Sequence, residues 1–232
     1  MITDVSGNGV VIDSNPLLSA TLGPNFSNRR NDGKTSLNLW PFYLAGRMIT
    51  VQELTIPEVK ILRPKVHRDD RGYVAEIVHE KDLQTLGLPI RFVQENQSLS
   101  RQKGTVRGLH FQKPPDAQAK LVRVLRGKIF DVAVDVRPHS ATYGKHVTAI
   151  LSEDDVAQMF IPAGFAHGFC TLTEDTVMLY KMSAFYAPSS EGGVLWNDPA
   201  LGIDWPIDPA QAVLSGKDVK LPLFKDLPPL AW

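Results

Sequence analysis

The sequence contains a single cysteine, Cys170, among its 232 residues. One thiol cannot form an intrachain disulfide, and it cannot supply the several cysteines of a Cys-rich zinc site. Long hydrophobic runs are also missing, since no stretch approaches the roughly 18 apolar residues that suggest a transmembrane helix. The first residues lack the basic start and apolar core of a secretory signal. We therefore expect a soluble, cytoplasmic protein that does not bind a membrane.

Neither sign of charge is in excess. Lysine and arginine together number 25, and aspartate and glutamate also number 25, so the formal net charge is zero. A neutral chain has no overall electrostatic attraction to nucleic acid or to an acidic membrane surface. We expect no nucleic-acid partner, and any anionic ligand must be held by a local cluster of basic side chains.

The first 47 residues differ in composition from the rest of the chain. They are rich in Asn, Ser, Gly and Thr and show no sustained hydrophobic period. A segment of this kind cannot bury a core, so we predict a disordered N-terminal extension over residues 1–47. Residues 48–232 are predicted to form one domain, whose proline-rich end, residues 221–232, wraps over its surface as a tail.

From Met48 onward the pattern is that of short β-strands with Gly and Pro between them. A single short helix is predicted over residues 80–88, and the pair Arg126-Gly127 predicts a tight hairpin between two alternating runs. Many short strands with frequent turns indicate an all-β, antiparallel sandwich or barrel with few short helices. The main predicted strands cover residues 58–64, 72–78, 92–98, the two runs of residues 120–136 on either side of Arg126-Gly127, and residues 146–151, 156–161, 167–171 and 176–183.

The most informative stretch is RGLHFQKPPDAQAK, residues 107–120, which spans two predicted strands and a Pro-Pro turn. Strict alternation predicts that Arg107 and His110 point to opposite faces of their strand. His110 and Lys120 are suited to face one cavity, as a proton-transfer base and a cation for a developing oxyanion. A surface lysine beside a core histidine is the competing interpretation, and the spacing alone favours neither.

The run PAGFAHGF, residues 162–169, matches the second cupin motif, in which a Pro-x-Gly-x-x-His turn presents a histidine inside a small β-barrel. The first cupin motif normally supplies His-x-His and a Glu to a metal, but this chain has His110-Phe111-Gln112 in its place. With Gln112 instead of a second histidine, the site is poor in ligands for a transition metal. We therefore predict a cupin-type antiparallel β-barrel or jelly roll without a metal.

Seven ordered motifs resemble those of the dTDP-4-dehydrorhamnose 3,5-epimerase family. They extend over about residues 48–218 and are FVQEN, RGLHFQ, QAKLVR, FDVAVD, PAGFAHGF, LYK and SEGG. The resemblance implies an isomerase that inverts C3 and C5 of dTDP-4-dehydro-6-deoxy-D-glucose to give dTDP-4-dehydro-L-rhamnose. It also implies a dTDP-sugar ligand, a homodimer that shares β-strands, and no metal or redox cofactor.

The same resemblance implies catalytic roles. His110 would be the base that removes a proton next to the ketone, and Asp218 would orient it and stabilise its imidazolium form. Lys120 would face the C4 oxygen as it becomes an enolate, with help from His167. Tyr180 would deliver a proton to the opposite face, which turns proton removal into inversion.

A further set of residues is expected to bind the substrate. Arg71, Arg107 and Lys217 suit the diphosphate, because guanidinium and ammonium groups form charge-assisted hydrogen bonds with phosphate oxygens. Tyr186 is expected to stack on thymine. The full expected set is Arg71, Glu76, Gln94, Asn96, Arg107, His167, Tyr186, Glu191 and Lys217.

Three alternatives remain open from the sequence. His67 stands where the family usually has an aromatic residue, so a mono-epimerase acting on C3 or C5 alone is the nearest rival. A metal-dependent cupin isomerase or oxygenase is disfavoured by the missing His-x-His. A non-catalytic sugar-nucleotide-binding cupin is disfavoured because it would not need His110, Lys120, Tyr180 and Asp218 together.

Overall fold

The computed structural model describes residues 49–88, 91–228, 230 and 232, so the predicted extension over residues 1–47 lies outside the described residues. Within the described part the chain forms short strands, one α-helix and several single 3-10 turns. No helix there is long and apolar enough to cross a bilayer. The predominance of strands agrees with the alternating hydrophobic pattern, which places side chains on opposite faces of each strand.

The strands are numbered in chain order, with the helix α1 between β4 and β5. They are β1 Ile49–Glu53, β2 Lys60–Pro64, β3 Val66–Asp69, β4 Gly72–Ala75, α1 Glu80–Thr85, β5 Gln94–Ser100, β6 Val106–Gln112, β7 Lys120–Arg126, β8 Lys128–Asp135, β9 His146–Ser152, β10 Gln158–Ile161, β11 Phe165–Thr171, β12 Thr176–Met182 and β13 Glu191–Gly193. The 3-10 turns are Pro188–Ser190, Pro199–Leu201, Pro209–Gln211, Asp218–Lys220 and Phe224–Asp226. Helix α1 is shorter than predicted, because Gly87 adopts a φ of 73° just beyond it and terminates the helical backbone.

Two antiparallel sheets form a sandwich. One has the strand order β1-β2-β10-β7-β12-β5, and the other has the order β13-β6-β11-β8-β9. Apolar side chains from both sheets meet between them, including Ile61, Val122, Ile129, Phe169 and Met178. The strands β3 and β4 pair only with each other among the described strands and form a separate hairpin. Burial of the facing side chains is the main term that holds the sheets together.

The outer face of the five-stranded sheet is covered by the end of the chain. Val132 and Val134 of β8 belong to an apolar cluster with Leu230, against which Leu227 and Trp232 also pack. Leu227, Leu230 and Trp232 therefore shield the side of this sheet that faces away from the sandwich core. This contact gives both faces of β8 an apolar environment, and explains why the sequence of β8 is almost continuously hydrophobic.

The prediction of a hairpin at Arg126-Gly127 is wrong. The chain does turn there, with Gly127 at a φ of 85°. However, β7 pairs with β10 and β12, whereas β8 pairs with β9 and β11, so the turn carries the chain from one sheet to the other. Glycine predicts the turn, but the sheet that each strand joins is decided by strands far away in the sequence.

Strands β6 and β11 approach each other unusually closely at two glycines. Gly108 has a φ of 124°, and a Cβ atom added to it would lie 2.5 Å from the Cα of Gly168 and 2.7 Å from the carbonyl oxygen of His167. The register between the strands also shifts between His167 and Phe169. A β-bulge of this kind re-aims the side chains that follow it.

Replacing Gly108 by alanine should strongly destabilise the fold, because the new methyl group would meet backbone atoms at a φ that L-residues rarely adopt. We expect a loss of about 2–4 kcal/mol in the free energy of unfolding, measured by urea denaturation. Gly216→Ala is the matched control, since nothing lies within 4 Å of its added Cβ. An equal effect of the two substitutions would contradict the close approach of β6 and β11.

Candidate active site

A cavity of about 440 Å³ lies between the two sheets and is closed on one side by the segment 213–218. Its walls come from β5, β6, β7, β11 and β12, so both sheets contribute to it. The cavity collects seven of the residues that the sequence singled out. They are Arg107, His110, Lys120, His167, Tyr180, Lys217 and Asp218.

The strand register brings these side chains together. His110 of β6 and His167 of β11 are paired residues in the five-stranded sheet. Lys120 precedes Val122 and Val124 on the inner face of β7, and Tyr180 lies across from Val122 on the neighbouring strand β12. The polar cluster thus continues the apolar interior of the sandwich at one end. Charged groups in such a position are costly unless they are paired.

His110 forms a hydrogen-bonded pair with Asp218, with 2.6 Å between Nε2 and Oδ1. Burial raises the pKa of Asp218, but hydrogen bonds from His110, Ser215 and the backbone of Gly108 outweigh it and lower that pKa overall. An ionised carboxylate only accepts hydrogen bonds, so neutral His110 must carry its proton on Nε2. Its Nδ1 is then a free lone pair that can accept a proton.

A second pair joins His167 to Asp131, with 2.7 Å between Nε2 and Oδ1. His167 is 8% exposed and Asp131 is fully buried. Burial lowers the pKa of His167, although the charge of Asp131 opposes this, so the imidazole is neutral at neutral pH. Asp131 is not among the residues that the sequence predicts for the site. The signal was its position in the apolar strand FDVAVD, where a buried acid requires a partner.

Lys120 is the cation at the centre of the cluster. Its Nζ donates a hydrogen bond to the carbonyl oxygen of His110 at 3.2 Å. Loss of water around the ammonium lowers the pKa of Lys120 to about 8, and the negative charges of Asp131 and Glu191 limit that fall. A desolvated ammonium interacts strongly with a negative charge that develops beside it, which is the property an enolate requires.

Arg107 lines the same cavity as His110, so the predicted placement on opposite faces is wrong. The bulge at Gly108 inserts one residue into the alternation and turns Arg107 toward the cavity. Its guanidinium donates to the Ser100 hydroxyl at 3.1 Å and to the Leu99 carbonyl oxygen at 3.3 Å. These contacts hold the side chain at the cavity wall, with further N–H groups available for an anion.

Four other expected residues form a hydrogen-bonded chain next to Lys217. The Tyr186 hydroxyl donates to Glu191 at 3.1 Å, and Glu191 also forms an ion pair with Lys217. The backbone N–H of Tyr186 donates to the Gln94 side chain at 2.9 Å, and Gln94 donates to Asn96 at 3.2 Å. Burial raises the pKa of Glu191, but the hydrogen bonds that its carboxylate accepts from Lys217 and Tyr186 outweigh this effect and lower the pKa overall.

Arg71 and Glu76 are the two expected residues that lie neither in the cavity wall nor in the hydrogen-bonded chain beside Lys217. Arg71 lies at the tip of the β3–β4 hairpin, where its side chain is 90% exposed and pairs with Asp69 at 2.6 Å. Glu76 follows β4 and lies near His79 and Asp82. Among the described residues, this trio is the group of ligand-type side chains close enough together for one metal ion, with ligand atoms within 4.8 Å of one another.

Comparison with known proteins gives consistent results. The family model described as dTDP-4-dehydrorhamnose 3,5-epimerase matches residues 53–226. The dTDP-4-dehydrorhamnose 3,5-epimerase of Sinorhizobium fredii is 52% identical over 177 residues, which is 76% of this chain and 90% of the relative.

Solved structures resemble the chain as well. The Bacillus anthracis dTDP-4-dehydrorhamnose 3,5-epimerase with TDP and PPi bound is 46% identical, with a TM-score of 0.73 over 75% of this chain and 99% of that one. The Legionella pneumophila dTDP-6-deoxy-D-glucose-3,5-epimerase in complex with dTDP-4-keto-L-rhamnose is 42% identical. Its TM-score is 0.74, with coverage of 78% of this chain and 95% of that one. The prediction of an all-β, cupin-type fold is confirmed.

Lys120 should lose its proton with a midpoint of about pH 8. Because desolvation lowers its pKa to about 8, the ammonium form should dominate below that pH and the neutral amine above it. The measurement is a pH titration by NMR of protein labelled with ¹³C at the lysine Cε atoms. The Lys120 signal is identified by its absence in Lys120→Met. A midpoint near the ordinary lysine value of 10.5 would show that the ammonium is not desolvated.

Proposed function

This chain belongs to the dTDP-4-dehydrorhamnose 3,5-epimerase family, and on that premise we propose that it converts dTDP-4-dehydro-6-deoxy-D-glucose to dTDP-4-dehydro-L-rhamnose by inverting C3 and C5. One observation carries the proposal. A histidine–carboxylate pair, a desolvated lysine and a tyrosine line one cavity between the sheets. These groups are what proton exchange next to a ketone requires.

The first step is removal of a proton from C5. Nδ1 of His110 takes the proton, and the electrons of the C–H bond move to the C4 oxygen, which becomes an enolate. Asp218 accepts a hydrogen bond from Nε2 throughout and stabilises the imidazolium that forms. Lys120 stabilises the enolate oxygen as a cation. C3 and C5 both flank C4, so the same groups serve both carbons.

Tyr180 is the proposed proton donor for the second step. His110 belongs to the five-stranded sheet and Tyr180 to the six-stranded sheet, so they lie on opposite walls of the cavity. A planar enolate held between the walls would lose a proton to one side and gain one from the other. This arrangement leads to inversion rather than return of the proton to the same face.

The nucleotide is proposed to lie toward Arg107 and Lys217. Both basic side chains line the cavity, and both suit the oxygens of a diphosphate. Tyr186 is 54% exposed beside them, which leaves its ring available to stack on a base. Its hydroxyl is held by Glu191, so the ring is oriented before the nucleotide binds. Gln94 and Asn96 supply amide groups for the sugar or the pyrimidine.

The β3–β4 hairpin supports the proposal of a homodimer. It joins neither of the two sheets among the described strands, and it exposes Tyr73 by 50% and Val74 by 73%. Exposed apolar side chains on a hairpin of this size need a cover. A second copy of the chain would provide it, and the hairpin would then bring Arg71, at its tip, and Glu76, which follows β4, toward the cavity of the partner subunit.

Proton NMR of the substrate in D₂O tests the function directly. The wild-type protein should exchange the protons of both C3 and C5 for deuterium. His110→Ala should slow both exchanges by about 10²–10⁴-fold, since one base is proposed for both carbons. Binding of dTDP should persist, because Arg107 and Lys217 are intact. Rapid exchange at one carbon in this variant would require a second base, and no exchange in the wild type would refute the function.

Tyr180→Phe should separate proton removal from inversion. The enolate would still form on Lys120, and His110 would return a deuteron to the original face. Exchange at C5 should therefore continue at a measurable rate while the L-configured product decreases much further. The ring is retained, so the melting temperature should change little. Equal loss of exchange and of inversion would mean that Tyr180 is needed to form the enolate.

Two experiments test the homodimer: multi-angle light scattering, and a substitution at the tip of the β3–β4 hairpin. Wild-type protein should have the mass of two chains, and Arg71→Ala should weaken dTDP-sugar binding although Arg71 lies outside the cavity of its own chain. Arg63→Ala is a control, because Arg63 is also exposed and pairs with an aspartate, Asp155, at 2.6 Å. A fully active monomer would contradict the shared site.

A further inference from the structure

The proton path described above does not use one buried acid of the cavity region, Asp131. Its side chain lies on the same face of β8 as Ile129 and Ala133, which belong to the apolar core between the sheets. It is fully buried. A carboxylate in an apolar interior lowers stability unless its charge is compensated, so its presence calls for a physical reason.

Only one oxygen of Asp131 is accounted for by hydrogen bonding. Oδ1 accepts from Nε2 of His167 at 2.7 Å, whereas Oδ2 is buried and has no hydrogen-bond partner among the described residues. His167 is neutral, so this hydrogen bond does not cancel the negative charge. A cation close enough to interact through space can compensate this charge, and Lys120, which lines the same cavity as His167, is a basic group on which the charge of Asp131 acts.

We propose that Asp131 is a positioning residue for this reaction: it keeps the Lys120 side chain a cation, and it fixes the His167 ring through the hydrogen bond to Nε2. This inference rests on the proposed function for its catalytic consequence, but not for the charge coupling itself. Asp131 acts through Lys120 and does not touch the substrate.

The surroundings of Lys120 make Asp131 its main source of negative charge. The titratable and charged groups of the cavity region are Asp131 on β8, Glu191 on β13, Arg107 and His110 on β6, His167 on β11, Tyr180 on β12, and Lys217 and Asp218 in the segment that closes the cavity. Ile161 and Met182, its backbone partners on β10 and β12, carry no charge. Desolvation lowers the pKa of Lys120, and Asp131 opposes this more strongly than Glu191 does.

The direction of the change in the Lys120 pKa follows from the negative charge of Asp131. With Asp131 present, Lys120 is an ammonium at pH values below about 8. Without that negative charge, desolvation is less opposed and the pKa falls further, so a larger share of Lys120 is a neutral amine at pH 7. A neutral amine stabilises an enolate far less than an ammonium does.

The same hydrogen bond changes the role expected of His167. A carboxylate oxygen accepts only, so neutral His167 carries its proton on Nε2 and presents Nδ1 as an acceptor. In this state His167 cannot donate to the C4 oxygen. Its contribution is to hold Asp131 in place, which leaves the stabilisation of the enolate to Lys120.

The test is the pH titration of Lys120 by ¹³C NMR in Asp131→Asn, which is isosteric and still offers an oxygen to His167. The Lys120 midpoint should fall by about one pH unit or more, the usual effect of losing one nearby opposite charge. The alkaline decline of C5 deuterium exchange should move down with it, while KM for the dTDP-sugar changes little. Asp131→Ser is a second neutral variant in case the asparagine protein does not fold.

Two further variants separate charge from packing. Asp131→Glu retains the charge and should keep the Lys120 midpoint near that of the wild type. Asp135→Asn removes an equally buried carboxylate of β8 that pairs with Arg137 at 2.7 Å, and it should lower stability without moving the midpoint.

These experiments distinguish a failure of this proposal from a failure of the proposed function. The NMR titration needs no substrate, so a midpoint shift in Asp131→Asn would support the coupling even if no epimerisation were found. An unchanged midpoint in Asp131→Asn would overturn the proposal. The proposal would also be overturned if Asp131→Glu moved the Lys120 midpoint as far as Asp131→Asn does, because packing rather than charge would then be the cause.

Discussion

The structure depends on compensation of charge inside a β-sandwich. The end of the interior holds Lys120, Asp131, His167 and Asp218 within or beside one cavity, and the last three of these side chains are buried. Each group has a specific partner: His110 for Asp218, His167 for Asp131, and a carbonyl oxygen for Lys120. Apolar residues at these positions would cost less free energy. The proposed reaction gives a reason for the arrangement, since a desolvated ammonium is effective against a developing enolate.

The two histidines show how one fold assigns different properties to the same side chain. They are paired residues of adjacent strands, and each donates from Nε2 to a carboxylate. His110 is partly exposed to the cavity, with a side-chain exposure of 31%, and its Nδ1 has access to a substrate. His167 is almost fully buried behind it. The bulge at Gly108, where the β6 chain closely approaches Gly168, lies directly beside this pair of histidines.

The sequence predicts local features well and non-local ones poorly. Strand positions follow from alternation, which is a property of each segment, and the all-β, cupin-type prediction is confirmed. The hairpin at Gly127 was wrong because strand partners are chosen across the whole sheet. The predicted orientation of the Arg107 side chain was wrong because one bulge reverses the alternation of side chains along β6. Asp131 was missed because its partner lies 36 positions away, on another strand. No pattern within β8 identifies that partner.

The position of Lys120 offers a reason why one cavity can serve two carbons. In the proposed reaction Lys120 holds the C4 oxygen, and C3 and C5 lie on either side of the C4–O axis. A pivot of the sugar about that oxygen would then exchange the two carbons in front of His110 while the enolate contact is kept. The base, the cation and Tyr180 remain fixed on three different strands, and only the ring moves. Rigid placement of the catalytic groups therefore does not restrict the reaction to one carbon. The restriction must come from the residues that hold the rest of the sugar nucleotide.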